Sequence, residues 1–177
     1  MAAMSLASQA QSLLIDVNRK GNTIRSLWDR LHGLPGGKAV FSRLIGQFVP
    51  YTGTIAAHIE ELQPGYARVT MRDRRRVRNH LQSVHAVALA NLAEVTGNIA
   101  MAYSLPDDAR FIVAKIEIEY LAKARGTITG ESHCPIPPNS ERVTYQVPVI
   151  MRNEHGEEVA RATLYSLIGA KKDRNPG

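Results

Sequence analysis

The chain changes its hydrophobic period along its length. Up to about residue 50 the apolar positions repeat at helical spacing. Leu6 to Val17 predicts a first helix. Ile24, Leu27, Trp28 and Leu31 fall at i, i+3, i+4 and i+7, which predicts an amphipathic helix over 22–32. Asn22 stands where a cap is needed, and Gly33-Leu34-Pro35-Gly36-Gly37 ends the helix. Val40, Phe41, Leu44, Ile45 and Phe48 predict a third helix, which stops before Pro50 because a residue preceding proline avoids helical backbone. From about Thr54 the period falls to two. Thr54–Leu62 and Tyr66–Arg72 read as strands joined at Gln63-Pro64-Gly65. In 112–120, Ile112, Ala114, Ile116, Ile118 and Tyr120 alternate with Lys115, Glu117 and Glu119, as in a half-buried antiparallel strand. Gly126–His133, Arg142–Met151 and Glu158–Ile168 predict three more, with Pro148 marking an edge or a bulge. Helices, two strands, one long helix and four strands make an α+β fold with a mostly antiparallel sheet.

The helix between the second and third strands, expected over Ser83–Ala102, carries the chemical information. Val84, Ala88, Leu92, Val95 and Ile99 form one apolar stripe, and Leu89, Ala93 and Ala100 form another. A helix apolar nearly all round is a buried helix. Its many alanines let a sheet approach closely. From Ala86 to Leu105, Glu94 is the only Asp, Glu, Lys, Arg or His, with Asn91 three residues before it and Asn98 four after. The three are therefore expected on one narrow face. An unpaired carboxylate is costly to bury. Either that face reaches water or an arginine, or burial tunes the carboxyl for catalysis.

Composition narrows the function classes. Hydrophobic residues are 44% and charged residues 21% of 177, which excludes wholesale disorder. Cys134 is the single cysteine, so no internal disulfide forms, and a reducing, cytoplasmic setting is expected. The net charge of +6 is local: Arg72–Arg78, reading RDRRRVR, and the KKDR run at 171–174 together account for it. Two such patches fit an anionic small molecule at least as well as a duplex, and 6% aromatic residues give few stacking platforms, so nucleic acid is not an expected partner. The most apolar stretch, Leu81–Leu105, contains His85, Asn91, Glu94 and Asn98, and no basic segment precedes the apolar N-terminal residues. Neither a membrane span nor a signal peptide is expected. His133-Cys134 lacks further ligands at metal-binding spacing, so no metal is expected, and neither a P-loop nor GxGxxG occurs.

Arg78 to Glu94, RNHLQSVHAVALANLAE, resembles the signature of hotdog-fold thioesterases related to the phenylacetate-pathway enzyme. Asn79, His85 six residues later and Glu94 nine beyond that stand at the family spacing, and Glu119–Gly126 resembles the family's strand and turn after the helix. The resemblance spans about 52–168. It implies a long helix wrapped by a curved antiparallel sheet, with protomers pairing edge to edge as a homodimer or a dimer of dimers. It implies acyl-CoA as substrate, coenzyme A being part of the substrate and no cofactor being needed. The helix carboxylate, Glu94, would act as nucleophile or as general base on water. Backbone N–H groups at Ala86 and Val87, beside Ser83, would hold the thioester oxygen, where the helix dipole also favours negative charge. Asn79 would orient water or the carbonyl, or else cap a turn. His85 would bond the substrate, or else be satisfied by backbone. Glu94 lies roughly 13 Å along the axis from His85, so a site shared between protomers is expected. Arg74, Arg75, Arg76, Arg78, Lys123 and Arg125 are candidates for the coenzyme A phosphates, or else a solvated charged strand end.

The sequence departs from the family pattern in three places. Ser83 replaces a glycine, and Ala86-Val87 replace Gly-Gly. Many relatives carry Ser or Thr on the strand after the helix, where Ile112, Val113 and Ala114 offer no hydroxyl. A non-catalytic acyl-CoA or acyl-carrier binding protein is the alternative these departures favour. The expected domains are a helical extension over 1–50, a hotdog domain over 51–170 and a basic flexible tail over 171–177.

Overall fold

The computed structural model describes residues 21–172. The helix predicted at Leu6–Val17 and most of the tail expected at 171–177 lie outside them. The first described helix, α1, is Thr23–Leu31, and its cap is the predicted one: the Asn22 side chain accepts from the Arg25 N–H at 3.0 Å. The other half of that amide reaches 80 residues away, Nδ2 donating to the Ala102 carbonyl at 2.8 Å. Arg25 adds a bond from Nε to the Tyr103 carbonyl at 3.0 Å. Helix α2 is Gly37–Phe48. Trp28 of α1 meets Phe41 of α2 edge-on, with ring centroids 5.1 Å apart, and both are buried in the main core.

A short helical turn, α3 (Pro50–Gly53), follows. The strand expected from Thr54 is corrected here: β1 is His58–Gln63. Pro50 starts a helical turn because its fixed φ suits the first helical position. Ala56 then takes a left-handed φ of 42° that no regular strand tolerates. The remaining strands are β2 (Tyr66–Met71), β3 (Ala109–Tyr120), β4 (Ile128–His133), β5 (Thr144–Arg152) and β6 (Glu158–Ala170). The long helix α4, Ala86–Ser104, stands between β2 and β3, two to three residues later than expected because Ser83 and Val84 belong to the loop before it. The six strands form one sheet in the order β1-β2-β4-β5-β6-β3, all neighbours antiparallel.

Helix α4 lies against the inner face of this sheet, in a hotdog fold. Leu92, Ala93, Thr96, Ala100 and Met101 have no accessible surface. At the crossing the approach is too close for side chains: a Cβ on Gly130 of β4 would stand 2.7 Å from the Thr96 hydroxyl, and one on Gly97 would stand 3.0 Å from Leu164. Pro148 sits just past the last β4–β5 pair, Ser132 with Val149. Its carbonyl accepts from the Ser132 hydroxyl at 2.8 Å, so its missing N–H faces an end of the ladder, the local edge that a proline requires.

Strand β3 corrects the expectation most. It is an edge strand, paired only with β6. A bulge between Val113 and Lys115 shifts its register. Directly paired residues share a face. Ile116, Ile118 and Tyr120 pair with Leu164, Ala162 and Ala160, whereas Ile112 pairs with Leu167, so the bulge sends Ile112 to the opposite face. Nor is the apolar row half-buried throughout: Ile112, Ile116 and Tyr120 are 66%, 38% and 48% exposed. Among the described residues no helix is long and apolar enough to cross a membrane.

Candidate active site at the start of the long helix

The loop from Arg78 to His85 is a built turn. An isolated bridge joins Arg78 to Val84. Asn79 Oδ1 accepts from the N–H groups of Leu81 (2.9 Å) and Ser83 (3.3 Å) and from the Ser83 hydroxyl (3.2 Å). Its backbone N–H donates to the Ser83 carbonyl at 2.8 Å. Asn79 and Ser83 therefore close the turn upon each other, and the Asn79 carboxamide oxygen serves the backbone. His85 is the N-cap of α4: Nδ1 accepts from the Val87 N–H at 3.1 Å, and its carbonyl accepts from Ala88 and Leu89. That acceptor role puts the ring proton on Nε2.

The two expected oxyanion donors consequently differ. The Val87 N–H is occupied by His85, whereas the Ala86 N–H has no partner among the described residues. A carbonyl oxygen at the helix start thus meets one free backbone donor, beside the exposed Nε2–H side of His85. Sequence reasoning missed Tyr120, whose hydroxyl donates to the Ala86 carbonyl at 3.1 Å and ties the end of β3 to the first turn of α4. Burial pushes this phenol above its ordinary range. The apolar alternation in 112–120 had marked Tyr120 only as a strand position.

Along α4, every residue from Ala88 to Met101 is buried except Ala90, Glu94 and Asn98. With the exposed Val87 before them and half-buried Ala102 after them, these form one open stripe. Glu94 is half-buried on that stripe and makes no ion pair or hydrogen bond with any described residue. The expected shared face is corrected for Asn91. This side chain is 4% exposed and turned toward α3, donating to the Tyr51 carbonyl at 3.0 Å. Glu94 and Asn98 remain on the open stripe.

The basic candidates divide. Arg74 is committed to the Ile55 carbonyl at 2.6 Å, and Arg78 to Asp73 at 2.7 Å, an ion pair that raises the Arg78 pKa. Asp73, 9% exposed at its side chain, also accepts from the Gly126 N–H at 3.2 Å. Val84 donates to the Ala124 carbonyl at 2.8 Å. These two ties bring the 123–126 turn beside the arginine run and the helix start. Arg75, Arg76, Lys123 and Arg125 are exposed there and have no partner among the described residues. A cavity of about 730 Å³ lies elsewhere: Asn22, Ile24, Leu105, Phe111, Ile112 and Ile168 help line it, at the C-terminal end of α4.

Residues 37–168 match the profile of a domain of unknown function, DUF4442. The chain belongs to the DUF4442 family. The DUF4442 match begins with α2 and ends within β6, and so takes in the first five strands, most of β6, the loop and α4. No curated protein matches significantly. Among solved structures, a structural-genomics target, APC5556, shares 32% identity with this DUF4442 chain over 84% of it and 99% of the target, at a TM-score of 0.73. A Pseudomonas aeruginosa protein of unknown function, described as a probable thioesterase, shares 22% identity over 77% and 97% of the two chains, at 0.67. A Haemophilus influenzae thioesterase shares 16% over 71% and 86%, at 0.62. At those identities the last two likenesses establish a shared hotdog fold.

Proposed function

We propose that this DUF4442 protein is an acyl thioester hydrolase acting on acyl-CoA, related to the phenylacetate-pathway branch of hotdog thioesterases. The observation that carries the reading is Glu94: a lone, half-buried carboxylate, unpaired among the described residues, on a helix otherwise built for burial. Structure alone gives no use for it, and burying an unpaired charge works against folding. Names of relatives with this fold agree with the reading. The Ala86 N–H and the positive end of α4 would take the developing oxyanion, with His85 Nε2–H beside them. Glu94 would act as nucleophile or as general base. Arg75, Arg76, Lys123 and Arg125 would hold the coenzyme A phosphates.

The exposed apolar edge of β3 supports a homodimer formed across that strand. In an antiparallel pair the start of one strand lies opposite the end of the other. The cavity at the start of β3 in one protomer would then adjoin Tyr120 and the helix start of its partner, an arrangement suited to an acyl chain. A second reading, acyl-thioester binding without hydrolysis, is favoured by one observation: His85 occupies the Val87 donor. Thiol release from short, medium, long and aromatic acyl-CoAs separates the two. Wild type is expected to hydrolyse at least one class, and Glu94→Gln to lose at least about 100-fold in turnover while remaining folded. Tight binding without thiol release by wild type gives the second reading instead.

A further inference from the structure

We infer that the cavity at the C-terminal end of α4 binds an aliphatic chain that ends in a carboxylate, held between Arg110 and Arg142 over Gly169. The inference goes beyond the hydrolase reading, because the site is complete within one chain and needs no bond to break.

The register of the sheet sets the two arginines astride one glycine. Arg110 of β3 pairs with Gly169 of β6. On the other side of β6, Thr144 of β5 pairs with Leu167, and the Ile168 N–H donates to the Val143 carbonyl at 2.8 Å, so Arg142 comes next, beside Gly169. Arg110, Gly169 and Arg142 all line the cavity. Neighbouring strands lie about 4.8 Å apart, so the two arginines stem from backbones about 10 Å apart. The glycine leaves the space between them open: a Cβ there would meet nothing within 4 Å. Arg110 is half-buried, Arg142 is exposed, and neither makes an ion pair or hydrogen bond with any described residue. The acids nearby do not answer them. Asp107 lies 3.7 Å from Arg25, Asp108 accepts from the Ser140 hydroxyl at 2.7 Å, and the exposed Glu141 forms no ion pair with its neighbour Arg142. Lys171 is turned to the carbonyls of Gly21 and Asp107, donating to each from Nζ at 2.8 Å.

Two unpaired guanidiniums at one opening repel each other, and an anion between them turns that repulsion into attraction. A carboxylate suits the planar guanidinium fork, which meets it with two parallel N–H···O bonds. The rest of the cavity sets the other half of the ligand. Ile24, Leu105, Phe111, Ile112, Leu167 and Ile168 supply an apolar wall. The volume, about 730 Å³, falls within the range of roughly 300–1,000 Å³ usual for small-molecule sites. An apolar wall with one cationic end matches an apolar chain with one anionic end. A free fatty acid has this chemistry, and so has the far end of an acyl group that carries a second carboxylate.

The test titrates the full chain by calorimetry with octanoate and with octanol, which has the same chain without the charge. Octanoate is expected to bind at least about tenfold more tightly than octanol. Arg110→Gln and Arg142→Gln are each expected to weaken octanoate by about tenfold or more, with octanol changed less than about threefold. Arg43→Gln removes an exposed charge from α2 and is expected to change neither. Circular dichroism and melting check the fold of every variant. No octanoate binding at millimolar concentration, equal affinity for octanoate and octanol, or an equal loss in Arg43→Gln overturns the inference. So does binding that appears only in Leu13→Asp, which would assign the cavity to the segment leading into Gly21. Thiol release separates the two sources of the carboxylate. Octanedioyl-CoA cleaved at least about tenfold better than octanoyl-CoA, with the preference lost in Arg110→Gln, makes it the far end of a substrate. Octanoate binding without that preference makes it a free acid. Wild type that binds octanoate and cleaves no acyl-CoA upholds the inference and removes the hydrolase reading.

Discussion

Asn79, Ser83 and His85, three residues of the proposed site, are held by the bonds that shape its loop. Asn79 closes the turn that aims α4, and His85 caps it, so an alanine at either position would disturb geometry before chemistry. Glu94 makes no such bond with any described residue, so its variant would report on the proposed reaction more cleanly. Cys134 is the opposite case. It is buried, 3.9 Å from the Ser104 hydroxyl, and burial pushes its thiol above the ordinary range. The raised pKa leaves less thiolate at neutral pH, so native protein is expected to react with a disulfide dye at least about tenfold more slowly than unfolded protein. Absorbance of the released dye with and without denaturant measures this. Rapid reaction of the native form would show that the end of α4 opens away from the sheet.

At the scale of elements, the fold was legible wherever period and burial coincide. The stripes of α4 and the cap at Asn22 follow from residue spacing, since each depends on neighbours within a turn. The β3 bulge was not legible. Ile112 and Ile116 obey the same alternation, and only pairing with Leu167 and Leu164 reveals that they face opposite ways. Likewise the spacing of Asn91, Glu94 and Asn98 gave one face, but α3 drew Asn91 out of it through the Tyr51 carbonyl. Motif spacing singled out Asn79, His85 and Glu94 as candidates. It could not show that His85 takes the Val87 donor or that Tyr120 reaches Ala86, because both depend on rotamers and on a strand distant in sequence. The close crossing of helix and sheet yields its own prediction. Gly130→Ala places a Cβ against the Thr96 hydroxyl and is expected to cost about 1–3 kcal/mol. Melting would fall by about 2–4 °C for each of those kcal/mol, and adding Thr96→Ala should recover part of the loss. An unchanged melting point would mean that the helix shifts freely on the sheet.

For the whole molecule, the two sheet edges are unequal. The β1 edge is six residues long, bulged between Ile59 and Glu61, and carries His58, Glu60 and Glu61 with Arg68 paired to Glu61. These are the features that discourage strand addition. The β3 edge is twelve residues long and exposes Ile112, Ile116 and Tyr120. Ile116→Lys is expected to shift the protein from two chains to one in sedimentation velocity at micromolar concentration. A wild type that already sediments as a single chain removes the proposed dimer and the shared site with it. The inequality also bears on what the protein cannot become. In the language of polymer chemistry, a monomer with two reactive ends grows without limit, while a monomer with one stops at the first coupling. With one edge blocked, the proposed pairing through β3 would leave this chain monofunctional, so crowding it would drive completed pairs and not open-ended fibres.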